Sequence, residues 1–155
     1  MDTPTQDVPG YYVWQPEGSR IAVHFKLDVI DRMGAEIMRG FGLVPKRGAE
    51  VGGILLGAIQ RTEPVVLRID DFEPVTCSYK RGPSFLLSEE DTEEFRKAWQ
   101  QIQSKGGRPP YAVGYYRSHT RDAAGLGADD LDILERYFSD PDQVALIVQI
   151  GRAHV

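Results

Sequence analysis

The chain has 155 residues, 41% of them apolar and 26% charged, with a formal net charge of -5 at pH 7. That length and mixture suit one globular domain with a single core, and the acidic balance without a basic patch excludes a protein that binds nucleic acid through phosphate contacts. One cysteine, Cys77, excludes a disulfide framework and a cysteine-rich zinc cluster alike, and no apolar run approaches the length of a membrane span.

The opening stretch, MDTPTQDVPGYY, is polar and lacks the apolar segment of a signal peptide, so a cytoplasmic protein with no membrane partner is expected. Residues 1–20 hold Pro4, Pro9, Gly10, Pro16 and Gly18, which is the chemistry of an arm or loop. Tyr11, Tyr12 and Trp14 would pin part of that arm to the body or form a contact surface. Residues 21–149 then read as one domain. Phe25, Val29, Met33, Ile37 and Phe41 recur every four residues, and Leu27, Ile30 and Met38 widen the stripe, predicting an amphipathic helix of about four turns. His24 falls near its start, and Gly40, Gly42 and Pro45 are its expected stop.

Val51 to Ile59 (VGGILLGAI) reads as a buried strand in which Gly52 and Gly53 allow close backbone approach. Val65 to Phe72 (VVLRIDDF) is its expected hairpin partner across the Gln60–Pro64 turn, with Asp70, Asp71 and Glu73 mostly solvated. Phe85, Leu86 and Leu87 predict a third strand. Ser88, with Asp91 at the capping-box position, starts a helix whose inner stripe is Phe95, Ala98, Trp99 and Ile102 and which Gly106 and Gly107 end. Tyr111 to Tyr116 is a strand, Arg117 to Gly127 a loop, and Ala128 to Phe138 a helix with Leu131, Leu134, Tyr137 and Phe138 inward. Val144 to Gln149 closes the pattern as another strand, giving a mixed α/β single domain. The last six residues, Ile150 to Val155 (IGRAHV), match one reading frame of a common sequencing adapter. We therefore expect the natural chain to continue past Gln149, and His154 receives no functional weight.

The chemistry gathers around Arg117-Ser118-His119, with Asp130 eleven residues after His119 and Glu50 beside GGILLG, separated from it by Val51 alone. This pattern resembles the JAB/MPN family, in its compact prokaryotic form. The metallopeptidases of that family carry a glutamate beside a Gly-Gly-hydrophobic-Leu-Leu-Gly strand, then His-x-His, seven residues, Ser, two residues and Asp. In this sequence Glu50 with Gly52 to Gly57 matches the first part, His119 the second histidine and Asp130 the aspartate. Two positions depart: Arg117 stands where the first histidine would be, and Gly127 where the serine would be.

The resemblance implies a cytidine-deaminase-like mixed sheet flanked by helices. It also implies, for an intact site, a zinc ion on two histidines and an aspartate that activates water. The glutamate, here Glu50, would be the general base, and the serine would stabilise the oxyanion. A guanidinium has no lone pair for a metal, so only His119 and Asp130 remain of the metal ligands, and Gly127 offers no side-chain donor. The expected reading is a degenerate member without zinc that binds proteins or serves as a scaffold. Its partner would be the extended tail of a ubiquitin-like or sulfur-carrier protein added at a sheet edge, or a second copy in a homodimer. The alternatives are a zinc isopeptidase with a modified ligand set, helped by Asp122 or Asp129, and a metal-free enzyme using Glu50, His119 and Arg117 as base, acid and anion clamp. For Arg117 itself two placements are expected: between Glu50 and Asp130 in the cation's place, or turned outward to Asp122 or Asp129.

Overall fold

The computed structural model describes residues 8–43, 49–79, 84–119 and 126–149. In chain order its elements are β1 (Tyr11–Trp14), β2 (Ile21–Lys26), α1 (Leu27–Leu43), β3 (Gly52–Gln60), β4 (Val65–Val75), α2 (Glu89–Gln103), β5 (Tyr111–His119), α3 (Ala128–Tyr137) and β6 (Val144–Gln149). The strands form one sheet in the order β1-β2-β4-β3-β5-β6. β2 with β4 and β5 with β6 run parallel, and the remaining neighbours run antiparallel.

Alternation along the central strands divides the apolar side chains between two cores. Leu55, Leu67, Ile69, Val113 and Tyr116 meet Val29, Met33 and Ile37 of α1. Ile54, Leu56, Ala112 and Tyr115 meet Phe95 of α2, Ile133 of α3 and Phe138 just after it. The chain is thus a mixed α/β single domain, a six-stranded sheet flanked by helices.

Several expectations change. The first helix starts at Leu27, because Ile21 to Lys26 (IAVHFK) pair with β1 and β4 as a strand. Phe25 kept the four-residue spacing to Val29 only across a strand–helix junction, and His24 lies on β2 opposite Arg68. Leu27, Ile30 and Met38 are exposed rather than part of the inner stripe. The helix passes through Gly40 and Gly42, while the side chain of Phe41 and residue Pro45 lie outside the described residues. The arm contributes an edge strand: the Tyr11 hydroxyl donates to Asp70 at 2.5 Å, with Tyr12 and Trp14 exposed.

Phe85 to Leu87 form no strand; Phe85 is buried in an irregular segment. Asp70, read as solvated, is half-buried between Tyr11 and Arg68, and Asp71 pairs with Arg32. On α3, Leu131 is exposed and Ile133 takes the inward place. No helix among the described residues is long and apolar enough to cross a membrane. Ile150 to Val155 lie outside the described residues.

Gly52 is where close approach decides the packing at the head of β3. A Cβ there would come 2.7 Å from both the Phe85 ring and the Tyr116 carbonyl oxygen. Since the latter is backbone in a paired strand, Gly52→Ala should destabilise the fold by about 1–3 kcal/mol. Chemical denaturation measures it; an unchanged midpoint would show that the strand yields freely.

Candidate functional site

β5 does not stop at Tyr116 but runs to His119, which places Arg117, Ser118 and His119 on the strand rather than in a loop. The period of two then sorts them. Tyr115, Arg117 and His119 point to the side of α2 and α3, and Ser118 points with Tyr116 to the side of α1. Gly52 pairs with Arg117 across β3 and β5, so Glu50, two residues earlier, comes opposite His119. The first turn of α3 delivers Asp130. Glu50, Arg117 and Asp130 retain only 3%, 7% and 2% of their accessible surface.

Arg117 holds Asp130 with a two-pronged fork: Nε donates to Oδ1 at 2.6 Å and Nη2 to Oδ2 at 2.8 Å. Its third nitrogen, Nη1, lies 3.1 Å from Nδ1 of His119, 3.3 Å from the Ser118 carbonyl oxygen and 3.9 Å from Oε2 of Glu50. The same His119 Nδ1 is 3.3 Å from Oε2 of Glu50. That nitrogen can accept from Arg117 or donate to Glu50, but not both. Nε2 of His119 is buried without a hydrogen-bond partner among the described residues.

Around this group backbone N–H groups and two tyrosine hydroxyls supply further donors. The Phe85 N–H donates to Oε1 of Glu50 at 2.9 Å, and the Tyr79 hydroxyl donates to the Glu50 carbonyl oxygen at 2.8 Å. The Tyr115 hydroxyl donates to Oδ1 of Asp130 at 3.0 Å, and the Gly127 N–H donates to Oδ2 at 2.8 Å. Gly127 is the residue that precedes α3, so Asp130 satisfies one of the helix's open N–H groups from its third position. Ser118 stands apart: fully buried on the other face, its Oγ accepts from Val51 N–H at 2.9 Å, clipping β5 to the entry of β3.

Burial alone would raise the pKa of Asp130. The hydrogen bonds from Arg117, the Gly127 N–H and the Arg117 charge outweigh it and hold the carboxyl below its usual value. Burial works against the Arg117 charge as well, and Asp130 more than offsets it, so the guanidinium stays protonated. The Tyr115 hydroxyl is pushed well above its ordinary value, first by burial and then by the Asp130 charge.

A catalytic zinc ion needs three protein lone pairs converging on one point, beside a place for water. Here both oxygens of Asp130 accept from cationic or neutral donors, and Nδ1 of His119 faces the guanidinium. The residues present do not fit such an ion in this arrangement, and among the described residues no group of three His, Cys, Asp or Glu could hold a metal. A side chain fits at Gly127, because a Cβ would meet nothing closer than Asp130 Oδ2 at 3.7 Å. The structure thus brings together Glu50, Arg117, His119, Asp130 and Gly127, and leaves Ser118 out. Asp122 lies outside the described residues. Sequence reasoning missed Tyr115, whose position two residues before Arg117 on a strand was the available signal, and Phe85, a backbone donor that no side-chain pattern marks.

No family model matches the chain, and no curated protein does. Among solved structures it is similar to the solution structure of protein DSY2949 from Desulfitobacterium hafniense, with a TM-score of 0.53 and 19% identity over 85% of this chain and 76% of that one. That likeness concerns the fold alone.

A carboxylate with a lowered pKa stabilises the folded state above its unfolded pKa of about 3.9, and that contribution is lost as pH falls through the folded value. Asp130→Asn should therefore lower stability at pH 7 and flatten the loss of stability below about pH 4. Urea midpoints across pH 2–7 measure this; parallel curves for the variant and the parent would contradict it.

Proposed function

We propose that this chain is a JAB/MPN-type domain that has lost its zinc centre and acts as a protein-binding or scaffold module, not as a zinc isopeptidase. The observation that carries the reading is the Arg117 fork on Asp130, at the place where the resemblance calls for a metal-ligating histidine. The motif spacing supports it too: Glu50, Arg117, His119 and Asp130 meet in space, as a degenerate site should. With the guanidinium forked onto Asp130, that carboxylate's oxygens are already engaged, and Gly127 adds no side-chain donor for an oxyanion. A missing oxyanion donor alone typically lowers the rate by about 10²–10³.

A module of this kind would take an extended peptide tail, as of a ubiquitin-like or sulfur-carrier protein, by adding a strand to an edge of the sheet. Among the described residues, β1 and β6 form the edges of the sheet. A homodimer would use the same kind of surface.

Metal analysis after purification with zinc supplementation tests the reading. We expect the wild-type chain to carry no stoichiometric zinc, and the Arg117→His, Gly127→Ser double variant to take up about one ion per chain. A wild-type chain holding zinc one-to-one would overturn the reading and make peptidase assays on tail-fused carrier proteins the next step.

A further inference from the structure

We infer that Arg117 is a resident cation: it cross-links β5, α3 and the entry of β3 through two buried carboxylates, so that the cohesion of this centre does not depend on any ion from solution. The inference stands on the geometry of the described residues and does not rest on the proposed function.

Glu50 and Asp130 come from different elements and are almost wholly removed from water. Two carboxylates buried around one centre lose their hydration, which is tolerated only with paired charge and hydrogen bonds. Arg117 meets both needs for Asp130 and brings its charge to 3.9 Å from Glu50, which accepts a hydrogen bond from the Phe85 N–H. Its fork neutralises Asp130, and Nη1 turns toward His119 and Glu50. The planar guanidinium suits this task, since its five N–H donors lie in a fixed fan and its charge persists at any working pH.

The surroundings fix the fork in place. Tyr115 lies on the same strand face as Arg117 and donates to the oxygen that Nε holds. The Gly127 N–H donates to the oxygen that Nη2 holds. Asp130 therefore ties the start of α3 to β5 through three donors from that strand, while the fourth, the Gly127 N–H, closes the cap of its own helix. On the far side, the Phe85 N–H fixes Glu50, which sits at the head of β3. One cation spans the junction of three elements, and unlike a bound metal it cannot exchange or be chelated away.

A double-mutant cycle tests this in chelator-treated protein, which keeps the outcome separate from the zinc assay. Arg117→Met keeps the apolar stem and removes the charge. It should raise the unfolding constant on the order of 100-fold or more, because it strands a buried carboxylate. Asp130→Asn should also destabilise. In the double variant at least about tenfold of the summed loss should be recovered, because neither charge is then left alone. Single-variant effects that simply multiply in the double variant would overturn the inference. If Arg117→Met does not fold, the same cycle is run with Arg117→Lys, which keeps the charge but loses the fork and should show a smaller coupling of the same sign; no coupling there overturns the inference equally. The wild-type melting temperature should be unmoved by a strong chelator, and a drop on chelation would contradict a resident cation.

Discussion

Two carboxylates, Glu50 and Asp130, are buried where β3, β5 and α3 meet, and a buried anion must be given a counter-charge. Arg117 supplies it with hydrogen bonds of 2.6 Å and 2.8 Å to Asp130, within 3.9 Å of Glu50. Much of the local architecture follows from that pairing. The first turn of α3 is anchored to β5 through Asp130, and Ile133 of the same helix packs against the sheet. The head of β3 can lie next to His119 because Glu50 is held by the Phe85 N–H on one side and faces a cationic centre on the other.

The sheet makes the pairing possible. Period two along β5 sends Tyr115, Arg117 and His119 to one face, and the antiparallel register with β3 brings Glu50 opposite His119. Ser118, one residue out of phase, serves the other face and clips Val51. Gly52 completes the arrangement, since its missing side chain is the space in which Phe85 sits. The site is therefore a product of strand alternation and one tight contact, and the helices then close over it.

Much of this was legible in the sequence. The apolar run at VGGILLGAI, the Ser88–Asp91 capping box and the α2 stripe led to β3 and α2 with near-correct bounds. The spacing from Glu50 to Asp130 led to residues that do meet in space. What stayed hidden had physical causes. IAVHFK alternates weakly and flows into a helix whose own period includes Phe25, so the strand–helix junction was masked. β5 continues through Arg117-Ser118-His119, which polar composition disguised as a loop, although their alternation was the clue. Leu131 kept helical spacing but faces water, because α3 is short and Ile133 and Phe138 take the inward positions. The donors from Phe85 and Gly127 are backbone groups, and no residue pattern announces a backbone donor.

The central claim is that a guanidinium stands where a zinc ion would be bound in the family that the motif resembles. A crystal structure of the wild-type chain grown with excess zinc, with anomalous data collected at the zinc edge, tests it most directly. The account predicts the Arg117 fork on Asp130 and no anomalous peak between His119 and Asp130. A zinc peak bound to His119 and Asp130, with Arg117 turned away, would contradict it.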